Sequence, residues 1–87
     1  MNENRGFQFP GTFELTAFVE AGADPVATVL AQLAEAGLAA DRDALTVRPS
    51  REGKFVAVRV SFPCETREEL EAAHARLREH DAVKWTL

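Results

Sequence analysis

Cysteine is almost absent from this chain. Cys64 stands alone among 87 residues, so no intrachain disulfide can staple the fold and no thiolate pair can hold a soft metal. Positive charge is also scarce. Ten Lys and Arg against fourteen Asp and Glu leave a net charge of -4 and a pI near 5.1, which argues against a surface for phosphate backbones or anionic membranes unless the bases gather on one face. No run approaches the ~18 consecutive apolar residues that a membrane-spanning helix needs. The opening Met1-Asn2-Glu3-Asn4-Arg5-Gly6 lacks a basic segment followed by an apolar one, so no secretory signal and a reducing, cytoplasmic location are expected. What the chain does have is a composition 46% hydrophobic and 28% charged, enough for one modest core and too short for two.

Residues 1–11, with two glycines and Pro10, read as a flexible N-terminal leader in which Phe7 and Phe9 offer docking points on the domain expected over 12–87. From Thr12 the pattern alternates strictly. Phe13, Leu15, Ala17 and Val19 share one side of a strand, and Thr12, Glu14, Thr16 and Phe18 take the other. Asp24 before Pro25 predicts an N-cap carboxylate ahead of a proline at the first helical position. Val26, Val29, Leu30 and Leu33 recur at helical spacing, and Gly37 suits a left-handed C-cap. Leu45 and Val47 begin a second strand that stops near Pro49-Ser50, and Ser50-Arg51-Glu52-Gly53 supplies a turn. The third strand, Lys54 to Phe62, is the longest and most β-branched, which places it inside the sheet, with Val56, Val58, Val60 and Phe62 inward. Thr66 and Glu69 form a capping box for a second helix running to about Glu79, with Leu70, Ala73, His74 and Leu77 on its inner stripe. Val83, Trp85 and Leu87 close the chain as an alternating fourth strand. The order β-α-β-β-α-β predicts an α+β, ferredoxin-like two-layer sandwich: a four-stranded antiparallel sheet with both helices on one face.

Few residues can do chemistry. Cys64 has no second cysteine and no histidine at a motif spacing, and it reads as an inert, partly buried thiol. His74 and His80, six apart, fall on largely different helix faces and outside the i, i+4 spacing of a ligand pair; His74 reads as a boundary residue on the packing stripe and His80 as a solvated cap, so no metal or other cofactor is expected. With no nucleophile paired to a base, an enzyme is not expected. In the loop after the first strand, Glu20 and Asp24 carry the wrong sign to cradle a phosphate. The sheet face away from the helices is the remaining candidate. Phe18 and Phe55 project from it, with Arg48, Arg59 and Lys84 nearby, and Gly53-Lys54-Phe55-Val56-Ala57-Val58 faintly resembles a strand of RNA-recognition motifs on which bases stack. Net charge -4 and the absence of a basic tail weigh against nucleic acid. The plainer account is that these side chains lie beneath the leader or in a homodimer interface.

Arg48-Pro49-Ser50, then Gly53-Lys54-Phe55, and the ending Val83-Lys84 with Leu87 resemble the YbeD-like family of small bacterial proteins, over about residues 9–87; Phe9-Pro10 and Phe13 fit as well. The chain departs from that family at Thr16, where a lysine is common, at Val19, where the strand often ends in glycine, and at His74, where an aromatic is frequent. It is identified as a divergent member. The resemblance implies a fold similar to the ACT regulatory domain and no established activity.

Two functional expectations follow. One is a non-catalytic regulatory or protein-interaction module, docking through Phe18, Arg48, Ser50, Lys54, Phe55 and Arg59 or through an edge strand. The other is an ACT-like sensor of a small metabolite such as an amino acid, held by the loop around Gly22 and Asp24; the bland alternative for Asp24 is a plain N-cap.

Overall fold

The computed structural model describes residues 8–87; Phe7, one of the two expected docking points, lies outside them. Strands β1 (Gly11–Glu20), β2 (Thr46–Pro49), β3 (Phe55–Cys64) and β4 (Val83–Thr86) form one sheet in the order β2-β3-β1-β4, antiparallel at every seam. Helices α1 (Pro25–Glu35) and α2 (Arg67–Glu79) pack on each other and on the two central strands. This is the expected ferredoxin-like sandwich, with β3 inside the sheet.

Alternation in β1 and β3 decides which face the helices cover. Leu15, Ala17 and Val19 on β1 and Val58, Val60 and Phe62 on β3 are fully enclosed, and Val29 and Leu33 of α1 and Ala73 and Leu77 of α2 close over them. Each large side chain buried in this way stabilises the fold by about 1.5–3 kcal/mol. Phe9 stacks on Phe13, ring centroids 4.8 Å apart, at the edge of the same core.

Helix α1 ends in a Schellman turn. The Leu38 N–H reaches the Leu33 carbonyl at 2.9 Å, the Gly37 N–H reaches the Ala34 carbonyl at 3.0 Å, and Gly37 takes φ +82 where a side chain would be strained. At the start of α2, Thr66 Oγ1 accepts from the Glu69 N–H at 3.2 Å, while the Glu69 carboxylate accepts from the N–H of Glu65, one residue before the cap, at 2.8 Å.

Three local expectations need correction. Asp24 holds the N-cap position of α1 but makes no side-chain cap bond. A short 3-10 turn over Ala21–Ala23 delivers it in the left-handed region, φ 54, whereas a capping side chain needs extended backbone to reach the first-turn N–H groups. The turn is closed instead by the Thr28 hydroxyl, which donates to the Ala23 carbonyl at 2.7 Å. His80 is half-buried, and its Nδ1 accepts the Ala82 N–H at 3.1 Å, so it is more than a solvated end residue.

The third correction concerns β4. Thr86 pairs with Ala17 and Trp85 with Phe18, but Val19 pairs with Val83, so Lys84 is an extra residue in the ladder. This bulge breaks the alternation. Val83 points into the core and is 6% exposed, while Trp85 is turned to the opposite face and is 55% exposed.

Candidate functional site

The face of the sheet away from the helices is built in rows across the strands. Arg48, Ala57, Phe18 and Trp85 make one row, each opposite the next on β2, β3, β1 and β4. Thr46, Arg59, Thr16 and Leu87 make the row beside it; Thr16 and Leu87 exchange both backbone hydrogen bonds, at 3.0 and 2.8 Å. Phe55, across from Glu20, lies on the other side of the aromatic row. Ala57 is the small member between Arg48 and Phe18, and its missing bulk leaves a hollow whose walls are the longer side chains around it.

Three contiguous depressions result, all sharing Phe18. The first, about 540 Å³, is walled by Phe18, Phe55, Trp85, Ser50 and Lys84. A smaller one of about 130 Å³ runs on past Ala57 and Pro49 to Arg48. The third, about 510 Å³, holds Arg48 and Arg59 with Thr16, Thr46 and Leu87. The surface therefore grades from aromatic at β4 to cationic at β2.

Of the residues expected to bind, the structure brings Phe18, Arg48, Ser50, Phe55 and Arg59 onto this one surface. Ser50 also has a structural task. Its N–H donates to the Phe55 carbonyl at 2.8 Å and its Oγ accepts the Phe55 N–H at 3.2 Å, which closes the β2–β3 hairpin and orients Phe55; Gly53 completes the turn at φ +78. Lys54 lies outside these three depressions but shares a fourth, at the hairpin turn, with Ser50 and Phe55. It is exposed, with its ammonium 4.0 Å from Glu52. Gly22 and Asp24 sit in the turn between β1 and α1, outside the three depressions, and a Cβ at Gly22 would meet nothing within 4 Å. Trp85 is the residue that sequence reasoning missed, because plain alternation puts it inward with Val83.

Lys84 is anchored to Glu20 at 3.3 Å. Arg48 and Arg59 have no carboxylate partner among the described residues. Neither histidine nor Cys64 lies on this face. Cys64 is buried at the inner end of β3, where desolvation first and the Glu69 carboxylate second push its thiol above the usual range. His74 is half-buried on α2 with its Nδ1 2.8 Å from the Thr86 hydroxyl, and burial, reinforced by Arg78, holds it below its ordinary value. Among the described residues no group of His, Cys, Asp or Glu gathers as a metal site, and no helix is long and apolar enough to cross a membrane. The open face can bind by stacking, apolar contact and charge.

Fold and surface together define a small α+β protein of the ferredoxin-like class with an open, aromatic sheet face. The chain belongs to the family described as "Protein of unknown function (DUF493)", which matches residues 4–87. UPF0250 proteins of Xanthomonas campestris pv. campestris (strain 8004) and Xylella fastidiosa (strain 9a5c) are each 43% identical to it over 86 residues, covering 99% of this chain and 94% of the relative. The counterpart from Stenotrophomonas maltophilia (strain K279a) is 41% identical over the same share. The YbeD-like resemblance thus extends over nearly the whole chain. The solution structure of Protein HP0495 from H. pylori superposes with a TM-score of 0.75 at 16% identity, covering 100% of this chain and 94% of that one, and so shares the fold.

Proposed function

We propose that the chain is a non-catalytic protein-interaction module that docks its partner on the open sheet face. The observation that carries this reading is the position of Trp85. A one-residue bulge turns the chain's single tryptophan out of the core and sets it beside Phe18, more than half exposed, over an apolar hollow. An exposed Trp85 clustered with half-buried Phe18 and Phe55 and rimmed by cations matches the makeup of binding hot spots, where Trp and Arg are enriched.

A photo-crosslinking residue placed at Thr46, on the open face, should give discrete protein adducts in cells. The same residue at Ala31, exposed on α1, should not. Trp85→Ala should weaken the adducts from position 46. Identical adducts from both positions, or adducts at 46 indifferent to Trp85→Ala, would refute the reading.

A second reading, sensing of a small metabolite such as an amino acid, is favoured by one observation: Asp24 keeps a left-handed backbone although its carboxylate caps nothing. Its check is a thermal-shift screen against amino acids, with loss of any shift in Asp24→Asn. A flat screen removes it.

A further inference from the structure

We infer that the open face takes an extended acidic segment of the partner, with an apolar side chain of that segment seated over Phe18, Phe55 and Trp85 and its carboxylates on Arg48 and Arg59. This rests on the interaction reading above and specifies the chemistry of the partner.

Arg48 and Arg59 occupy neighbouring rows of adjacent strands, since Arg48 faces Ala57 and Arg59 faces Thr46. They are diagonal neighbours about 7–8 Å apart at the backbone, so their like charges repel unless an anion lies between them. No described carboxylate fills that role, although the chain carries an excess of acids and spends them elsewhere, Glu20 on Lys84 and Glu35 on Arg76. Thr16 and Thr46 add hydroxyls to the same depression, suited to the remaining lone pairs of a carboxylate.

Shape sets the kind of anion. The three depressions join into a groove that crosses all four strands. With strands spaced about 4.8 Å apart, the crossing is roughly 14 Å long, the reach of about four extended residues. An apolar residue at one end of such a segment and acidic residues at the other match the grade of the groove. A nucleic-acid strand fits less well. Its phosphates need a continued cationic track, and beyond this pair the face carries Lys84, already held by Glu20, and the carboxylates of Glu14 and Glu20 on β1.

The test is selection of random twelve-residue peptides displayed on phage against the full chain, repeated against Arg48→Glu/Arg59→Glu. Peptides selected by the parent should combine Asp or Glu with Leu, Phe or Trp within about four positions, and chemically synthesised ones should quench or shift Trp85 fluorescence. The double reversal should move the selected charge from acidic to basic while the apolar preference stays.

Selected peptides without acidic bias, or a bias unmoved by the reversal, overturn the inference and leave the interaction reading intact. So does a uridine oligonucleotide that perturbs Trp85 with steep salt dependence while no peptide competes with it. A dimer by sedimentation that buries Trp85 and excludes peptides would assign the groove to a second copy and overturn it too. Failure of the crosslinking contrast between Thr46 and Ala31 is a different result, which removes the interaction reading itself.

Discussion

Trp85 on β4 sits directly across from Phe18 on β1, with ring centroids 5.0 Å apart and planes inclined by 44°. At this tilted pair the register of the sheet edge and the makeup of the open face are settled by the same residue, Lys84. Because Lys84 is the extra residue of the bulge, deleting it should leave Trp85 opposite Phe18 in a regular ladder. The deletion variant is expected to fold and to keep the parent's Trp85 emission maximum. Emission shifted well to the blue, as for a tryptophan drawn into the core, would show that Trp85 does not keep its register with Phe18 once Lys84 is gone.

The two helix starts should respond differently to mutation. Thr66→Ala removes a hydroxyl that accepts the Glu69 N–H and is expected to cost about 1 kcal/mol in urea unfolding. Asp24→Gly removes a carboxylate that caps nothing and relaxes a left-handed backbone, so stability should stay within about 0.5 kcal/mol of the parent. A large loss at Asp24 would mean its carboxylate has a partner in solution.

His74 makes stability depend on pH in a defined direction. The unfolded imidazole titrates near 6.5 and the folded one lower, so between those values the unfolded chain binds more protons. The His74 contribution is fully present above pH 6.5, falls as pH drops through the folded value, and is flat below it. The parent should therefore lose more stability than His74→Gln between pH 7.5 and the acid side of that window. The carboxylates common to both chains cancel in the comparison. Equal losses would show that burial and Arg78 do not hold the folded ring neutral.

Cys64 offers a readout of opening. The thiol is 1% exposed and its ionisation is held back by burial and Glu69, so a disulfide reagent should modify the native chain slowly and urea-unfolded chain at once. Labelling rates rising in step with the unfolded fraction are expected. Fast labelling in the absence of denaturant would place the end of β3 in local equilibrium with solvent.

The parts that proved legible in the sequence are those where a long period speaks. Leu15, Ala17 and Val19 against Val58, Val60 and Phe62 repeat often enough to define two central strands, and Thr66 with Glu69 marks a helix start by a paired signal. Single-residue events were not legible. Asp before Pro serves equally at an extended cap or a left-handed turn, and only the 3-10 turn ahead of Asp24 decides between them. The bulge at Lys84 leaves no compositional mark. A signal for it did exist: a half-buried His74 wants a polar partner, and Thr86 can face it only if Trp85 faces away. Of the expected binding residues, cross-strand register gathered those on β1, β2 and β3, whereas Lys54 and the Gly22–Asp24 turn lie beyond the reach of any strand pattern.

The two edges of the sheet show how such an aromatic surface can be carried safely. Strand β2 is four residues long and ends in Pro49, and β4 is four residues long and interrupted at Lys84. Neither presents an unbroken row of backbone donors and acceptors, and a lysine or a proline stands where a neighbouring chain would have to zip on. Open-ended pairing of sheet edges into fibrils is thereby denied a template.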